Sequence, residues 1–459
     1  MMESRSVSVK DIFDSRGFTP YQVWVSFLCF SVILLDGFDL AIIGVALPKI
    51  AESLKSSPSA LGLAVGASQI GPLVGAIVLG TLADRFGRKL MLIISALFFG
   101  TLTLLTAHIT SVEQLAICRL LTGIGLGGAI PNALTFGSEY APSRLRASLA
   151  TTMYAGMAVG STIAGLSASY LLPTFGWQSL FVVGGLAPIA IAMLVAIFLP
   201  ESLEFLVRQG KDQGRIRRIV SRIAPDLADD ENVVFRAPDQ KLAGLPVKHL
   251  FAAGRAYTTV LLWGLFFLSY YLIWLIISWA PTMLRQSGAS SQQYSLAFAC
   301  INIGSAIATI TIGRLMDGAN PFRTLKIAHA LAFISLVFFG FFAGSQFVVV
   351  AAVCVITGFF IFGCNSGIVA LATVSYPPDI RGSGVGWAYA VGKVGSLLAP
   401  VVGGMMLSRK WDVVQICSTN AVAALVVVAV IVILQRHLAA KEAKERAIGS
   451  EALSQTAQP

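Results

Sequence analysis

The sequence predicts an all-α membrane protein of twelve spanning helices, arranged as two pseudo-symmetric bundles of six, and three observations lead there. Charged residues make up 12% of the 459 positions against 56% apolar, about half of the ~25% charged share of an average soluble domain. So few charges cannot cover the surface of a water-soluble fold of this size, and the positive mean hydropathy agrees. The apolar residues are gathered into long runs, each near the ~20 residues that cross a bilayer as a helix. The charges fall between the runs, with few exceptions.

Taken in order, a mixed polar segment (1–21) leads into apolar runs at 22–47, 60–82, 90–108, 112–137, 147–171 and 177–199. The first run is too long for the core of a signal peptide, so no cleaved secretory signal is expected. A polar stretch at 200–256 separates the halves. It opens at Pro200, carries Arg215, Arg217, Arg218 and Arg222, and turns acidic at Asp226, Asp229, Asp230 and Glu231. Its first part is expected as a short amphipathic helix on the membrane surface, its second as loosely ordered chain. The second half has runs at 257–283, 292–314, 324–343, 347–371, 383–407 and 413–435, followed by a polar tail at 436–459. The bundles are thus expected at 22–199 and 257–435.

Charge placement orients the chain. The net charge of +10 forms no single patch, which argues against a nucleic-acid partner and for a cytoplasmic membrane face. With both termini inside, 26 of the 33 Lys and Arg fall on the inner side. Only Lys49, Lys55, Arg285, Arg409 and Lys410 fall outside. This bias supports an even number of spans in the inner (plasma) membrane. Cys29, Cys118, Cys300, Cys354, Cys364 and Cys417 lie in apolar runs without paired spacing and read as packing residues. Four scattered histidines form no metal motif, and neither Gly392-Lys393 nor Gly210-Lys211 completes a phosphate-binding loop. No catalytic residues, metal or nucleotide cofactor are expected, so the chain does not read as an enzyme.

Several motifs carry a resemblance. Between the second and third runs lies Gly80-Thr-Leu-Ala-Asp84-Arg85-Phe-Gly87-Arg88-Lys89, with a degraded copy, Gly313-Arg314-Leu-Met-Asp317, after the eighth. Pro142-Ser-Arg-Leu-Arg146 and Pro377-Pro-Asp-Ile-Arg381 form a second echo between the halves. Arg119 opens a glycine-rich stretch to Gly128, further glycines lie at 156–165, and Pro200-Glu201-Ser202 ends the sixth run. Together these resemble the major facilitator superfamily over nearly the whole chain. The resemblance implies two halves related by an axis along the membrane normal. In the reading that follows from it, Gly80, Asp84, Arg85, Gly87, Arg88, Glu139, Arg146, Asp317 and Arg381 act in gating. Glu139 is expected to meet Arg144 or Arg146.

Leu35-Asp36-Gly37-Phe38-Asp39 further resembles the signature of the aromatic acid:proton symporter family, whose members import benzoate-like acids with protons. By this resemblance Asp36 and Asp39 are needed for transport, and Lys393 stands where the family commonly has a basic residue, usually Arg. A lysine offers a point charge rather than a bidentate clamp.

The residues themselves point the same way. An ionised group at the centre of a span costs about 2.5–3.5 kcal/mol, so Asp36, Asp39, Arg119 and Lys393 are expected to face a shared aqueous cavity. Asp36 and Asp39, three apart, share a helical face. Two such carboxylates disfavour holding two charges at once, which suits one of them to take up and release a proton. The alternative is a structural ion pair with Arg119, and both roles can coexist. Lys393 is expected to contact an anionic substrate, with Arg119, Tyr389 and Trp387 beside it; a lysine neutralised by burial or by a carboxylate is the alternative. Asn132, Asn302 and Asn365 serve as helix-to-helix ties or as partners of substrate hydroxyls.

The expected activity is import of a small aromatic carboxylate by proton symport, driven by the proton gradient, in a monomer. Three alternatives stand beside it: a symporter of another organic anion (dicarboxylate, sugar acid, nicotinate), a drug efflux pump, and a non-transporting nutrient sensor.

Overall fold

A computed structural model of the chain describes residues 5–14, 17–210, 213–230, 233–236, 247–252, 254–318, 320–377 and 380–456. The described residues form two compact units, one from Met1–Leu242 with Ser278–Asn302, the other from Ala243–Ile277 with Ile303–Pro459.

The first half begins with β1 (Arg5–Ser8) and α1 (Val9–Asp14), followed by α2 (Pro20–Ser53), α3 (Pro58–Ala67) and α4 (Ile70–Phe86). It continues with α5 (Arg88–Thr106), α6 (Val112–Glu139), α7 (Arg146–Phe175) and α8 (Gln178–Phe198). The central stretch holds α9 (Leu203–Gln209), α10 (Gln213–Ser221), α11 (Pro225–Asp229), β2 (Val233–Arg236) and α12 (Lys248–Phe251). The second half comprises α13 (Ala256–Gln286), α14 (Ser291–Gly318), α15 (Pro321–Phe342), α16 (Phe347–Ser375), α17 (Arg381–Ser408) and α18 (Val413–Thr456). Among the described residues, 12 helical segments are long and apolar enough to cross a membrane, α3 and α4 counting together as the second.

Local chemistry sets the ends. Thr19 caps α2 with a reciprocal capping box to Gln22, and Pro20 occupies the first helical position. Ser111 caps α6 through the backbone N–H of Gln114, and Asn320 caps α15 through those of Phe322 and Arg323. Although mostly apolar, α2 is buried along most of its length, and this burial keeps Asp36 and Asp39 away from lipid. It packs against α7 at glycines: a Cβ on Gly37 would run into the Met157 backbone, and one on Gly160 into the Leu34 carbonyl. Such close approach of backbones replaces the hydrophobic driving force that helices lack inside lipid. Arg285 at the end of α13 pairs with Glu52, and Gly165 of α7 abuts Ala299, so the segment Ser278–Asn302 packs with the first unit.

The central stretch departs from expectation. Amphipathic α10 does form, but Ile216, Ile219 and Val220 are buried in the same core as α2, α5, α6 and α8 rather than turned to lipid. The part expected as loosely ordered contains α11 and β2; Glu231 lies outside the described residues. β2 pairs in parallel with β1, from Arg5 opposite Val233 to Ser8 opposite Arg236. The polar tail also differs, because α18 runs 44 residues without stopping at 435. Its Ala-, Lys-, Glu- and Arg-rich continuation is made of strong helix formers.

Candidate functional site

In the first unit, Asp36 and Asp39 lie one turn apart on α2 and are 2% and 1% exposed. The Asp39 carboxylate accepts from both terminal nitrogens of Arg119 on α6, Nη1 at 2.9 Å and Nη2 at 3.3 Å. Thr103 of α5 donates its hydroxyl to Asp39 at 2.6 Å. Arg119 Nη2 also donates to the hydroxyls of Thr103 and Thr122, each at 3.1 Å, and the guanidinium lies 5.6 Å from the ring centre of Phe181. Two charges are thus held in an apolar interior by a bidentate pair with added hydroxyls, as buried ion pairs require. The ion pair weighed as an alternative is formed at Asp39. Arg119, expected also at the substrate, has its fork committed to Asp39, Thr103 and Thr122. The two threonines had no signal in the sequence, because spans are rich in hydroxyl residues that bond their own backbone.

In the second unit, Lys393 of α17 faces α13. Its Nζ lies 6.0 Å from the ring centre of Tyr270 and 6.0 Å from that of Trp274, at the ~6 Å limit of cation–π attraction. The ammonium thus lies over both rings at the outer edge of that range. Tyr389, one turn from Lys393, meets Tyr270 edge-on at 5.9 Å and Phe266 at 5.2 Å. A Cβ on Gly395 would run into the Phe267 carbonyl, so the glycine lets α17 close on α13. Trp387 does not join this group. It is 45% exposed and stacks on Trp263 at 6.4 Å. Six residues from Lys393 is about 1.7 turns, which turns Trp387 to another face, whereas four residues keeps Tyr389 on the same one.

The in-span amides divide. Asn132 and Asn302 donate to carbonyls of their own helices, those of Gly128 and Phe298. Asn365 instead accepts from Ser269 of α13 at 3.4 Å. Tyr271 donates to Asn420 of α18 at 2.5 Å.

A third cluster lies at the chain-terminus side of the first unit. Glu139, 6% exposed at the end of α6, pairs with Arg88 and accepts from the Ser202 hydroxyl at 2.5 Å. The expected partners Arg144 and Arg146 are not used: Arg146 Nε donates to the Ala141 carbonyl instead, since their loop turns away after Tyr140. Glu201 accepts from the backbone N–H groups of Lys89 (3.0 Å) and Ser202 (2.9 Å). Gly87, at φ 102°, begins α5 where a Cβ would press on the Glu201 carboxylate. That left-handed conformation is open to glycine and strained for other residues. Of the other expected gating residues, Asp84, Arg85 and Arg381 are exposed, and a Cβ at Gly80 would have no neighbour within 4 Å. The side chain of Asp317 and residues Pro378 and Asp379 lie outside the described residues. The repeat is chemically unequal, because Ser375 precedes Tyr376 where Glu139 precedes Tyr140.

The family described as the Major Facilitator Superfamily matches residues 29–400 and 262–456. The chain is 36% identical over 417 residues to the 4-hydroxybenzoate transporter PcaK of Acinetobacter baylyi, covering 90% of this chain and 91% of that protein. It is 33% identical to a gallate transporter of Pseudomonas putida (88% and 89% covered) and 30% identical to the benzoate transport protein of Acinetobacter baylyi (88% of each). Among solved structures, a D-xylose-proton symporter superposes with a TM-score of 0.70 at 18% identity, covering 90% of this chain and 97% of that one. A bacterial homolog of the human lysosomal transporter Spinster gives 0.72, also at 18%, covering 92% and 98%. By sequence and fold together, the chain belongs to the Major Facilitator Superfamily, in the branch that holds these relatives, and is a multi-pass membrane transporter rather than an enzyme.

Proposed function

We propose that this transporter imports a small aromatic carboxylate of the benzoate or hydroxybenzoate type together with protons, by alternating access, through the inner (plasma) membrane with both termini in the cytoplasm. The observation that carries the reading is the Lys393 ammonium set between Tyr270 and Trp274. A cation beside two aromatic faces suits a molecule whose carboxylate is attached to a planar ring. Relatives named for 4-hydroxybenzoate, gallate and benzoate support the same substrate class. Lys393 meets the carboxylate as a point charge, and Tyr270 and Tyr389 meet the ring. Asp36 takes the proton one turn from the Asp39–Arg119 pair, and Arg119 keeps Asp39 balanced until a proton or the substrate anion competes for it. The proton gradient supplies the energy, and no cofactor is needed. The excess of Lys and Arg on the termini side supports the orientation.

The test is uptake of labelled 4-hydroxybenzoate into vesicles under an imposed pH gradient. Asp36→Asn is expected to abolish accumulation while leaving the amount of protein in the membrane unchanged; normal accumulation by this variant would sink the coupling assignment. Unlabelled benzoate, gallate and nicotinate are expected to compete. Stronger competition by an aliphatic dicarboxylate would overturn the substrate class.

A further inference from the structure

The N-terminal segment ahead of the first span is built into the protein rather than trailing from it. Val9, Ile12 and Phe13 of α1 are all but fully buried, in the i, i+3, i+4 pattern of one helical stripe. Phe13 packs on Tyr140 with ring centres 5.5 Å apart. Tyr140 is itself fully buried, stacks on Phe136 at 5.2 Å, and donates its hydroxyl to the Glu201 carbonyl at 2.8 Å. Its own carbonyl accepts from the Gln22 amide at 2.7 Å. At the end of α1, Asp14 takes two hydrogen bonds from Ser143, one from the backbone N–H and one from the hydroxyl at 2.7 Å. Upstream, β1 ties the segment to β2 of the central stretch, and Arg222 of that stretch lies over the Tyr21 ring at 5.2 Å.

The contacts of Phe13, Asp14 and Gln22 converge on residues 140–143, immediately after Glu139. That carboxylate sits on Arg88 and Ser202 in the cluster where the superfamily signature and the end of the sixth span meet. The turn that follows a gating carboxylate at a helix end has to keep its register, and here a distant segment sets it from both an apolar and a polar side.

We propose that α1 is a brace on the cytoplasmic end of the first unit, and that Asp14, through Ser143, is a positioning residue for the transport cycle. The inference rests on the transport reading above for its effect on rate, and on geometry alone for the brace. Asp14 touches neither substrate nor coupled proton; it holds the 140–143 turn, and with it Glu139, against Arg88. Loss of the brace therefore slows the conformational step without changing the substrate site.

The experiment uses the full chain in vesicles, comparing the unsubstituted protein with Asp14→Ala, Asp14→Asn and Phe13→Ala at matched protein amounts. In Asp14→Ala the maximal uptake rate of 4-hydroxybenzoate is expected to fall about threefold or more, with KM unchanged within about twofold. Asp14→Asn, which keeps an acceptor for the Ser143 N–H, is expected to recover part of the rate. Amide hydrogen exchange over 140–143, which needs no substrate, is expected to accelerate in Asp14→Ala and Phe13→Ala. Unchanged exchange there would overturn the brace. Accelerated exchange with an undiminished maximal rate would overturn the positioning role, as would a change confined to KM. Absence of aromatic-acid uptake by the unsubstituted chain refutes the substrate reading instead, and exchange then decides the brace by itself.

Discussion

Arg119→Leu isolates the physical role of the buried pair in the first unit. The substitution leaves Asp39 1% exposed with its charge unbalanced and only the Thr103 hydroxyl still donating to it. Two unit charges about 4 Å apart at an effective dielectric constant of ~20 attract by about 4 kcal/mol. Breaking a buried pair from one side costs about 3–5 kcal/mol in comparable cases. Either figure stands well above the ~0.6 kcal/mol average of an interhelical hydrogen bond in a membrane. Arg119→Leu is thus expected to destabilise the protein by about 4 kcal/mol, read by chemical denaturation in mild detergent micelles. The double variant Asp39→Leu/Arg119→Leu removes both charges and is expected to regain most of that stability, while remaining inactive in uptake. A loss below about 1 kcal/mol in Arg119→Leu, the range of exposed pairs, would refute the argument. It would mean that water reaches Asp39 and that the pair is not the electrostatic lock its burial implies.

Further expectations can be measured in the same preparations. Lys393→Ala is expected to raise the KM for aromatic acids on the order of 10- to 100-fold, as loss of a charge-assisted contact would, whereas Trp387→Ala changes it less than about twofold; initial uptake rates distinguish the two. Glu139→Ala, which strands Arg88, is expected to cost about 2 kcal/mol or more in denaturation, while Arg144→Ala leaves stability and uptake at the unsubstituted level. The pH dependence of the brace follows from Asp14, whose carboxyl is held below its usual range chiefly by the Ser143 backbone N–H. A carboxylate so lowered contributes stability above its unfolded value of about 3.9 and loses that contribution as pH falls through the lower folded value. The difference in melting midpoint between the unsubstituted protein and Asp14→Ala should accordingly stay constant from about pH 8 to 5 and shrink below about 4.

The twelve spans were legible because lipid is an unforgiving solvent. A backbone that must satisfy its own hydrogen bonds writes runs of apolar residues at helical length, and the boundaries then moved by only a few residues at most ends. Asp36, Asp39, Arg119 and Lys393 stood out for the same reason, each being costly in a span unless something offsets the charge. Helical geometry alone separates Tyr389, one turn from Lys393, from Trp387, which lies off that face.

Partnership was a different matter. Asp39 and Arg119 lie 80 positions apart, and Thr103 and Thr122 join them only because α5 and α6 pack on α2. The glycines of α2 and α7 announce that some helices approach closely, but not which ones. Glu139 was expected to meet Arg144 or Arg146 just after it in the chain, and packing instead set it on Arg88 at the start of α5. The strand pair of Arg5–Ser8 with Val233–Arg236 joins the N-terminal segment to the central stretch, each strand too short to carry a pattern of its own. Sequence by itself therefore determined the solvent, the number of crossings and the identity of the costly charges, because these follow from the transfer energy of one residue at a time. Tertiary structure alone decided which charge answers which and where the N-terminal segment docks, because those are pairwise energies whose distances exist only after packing.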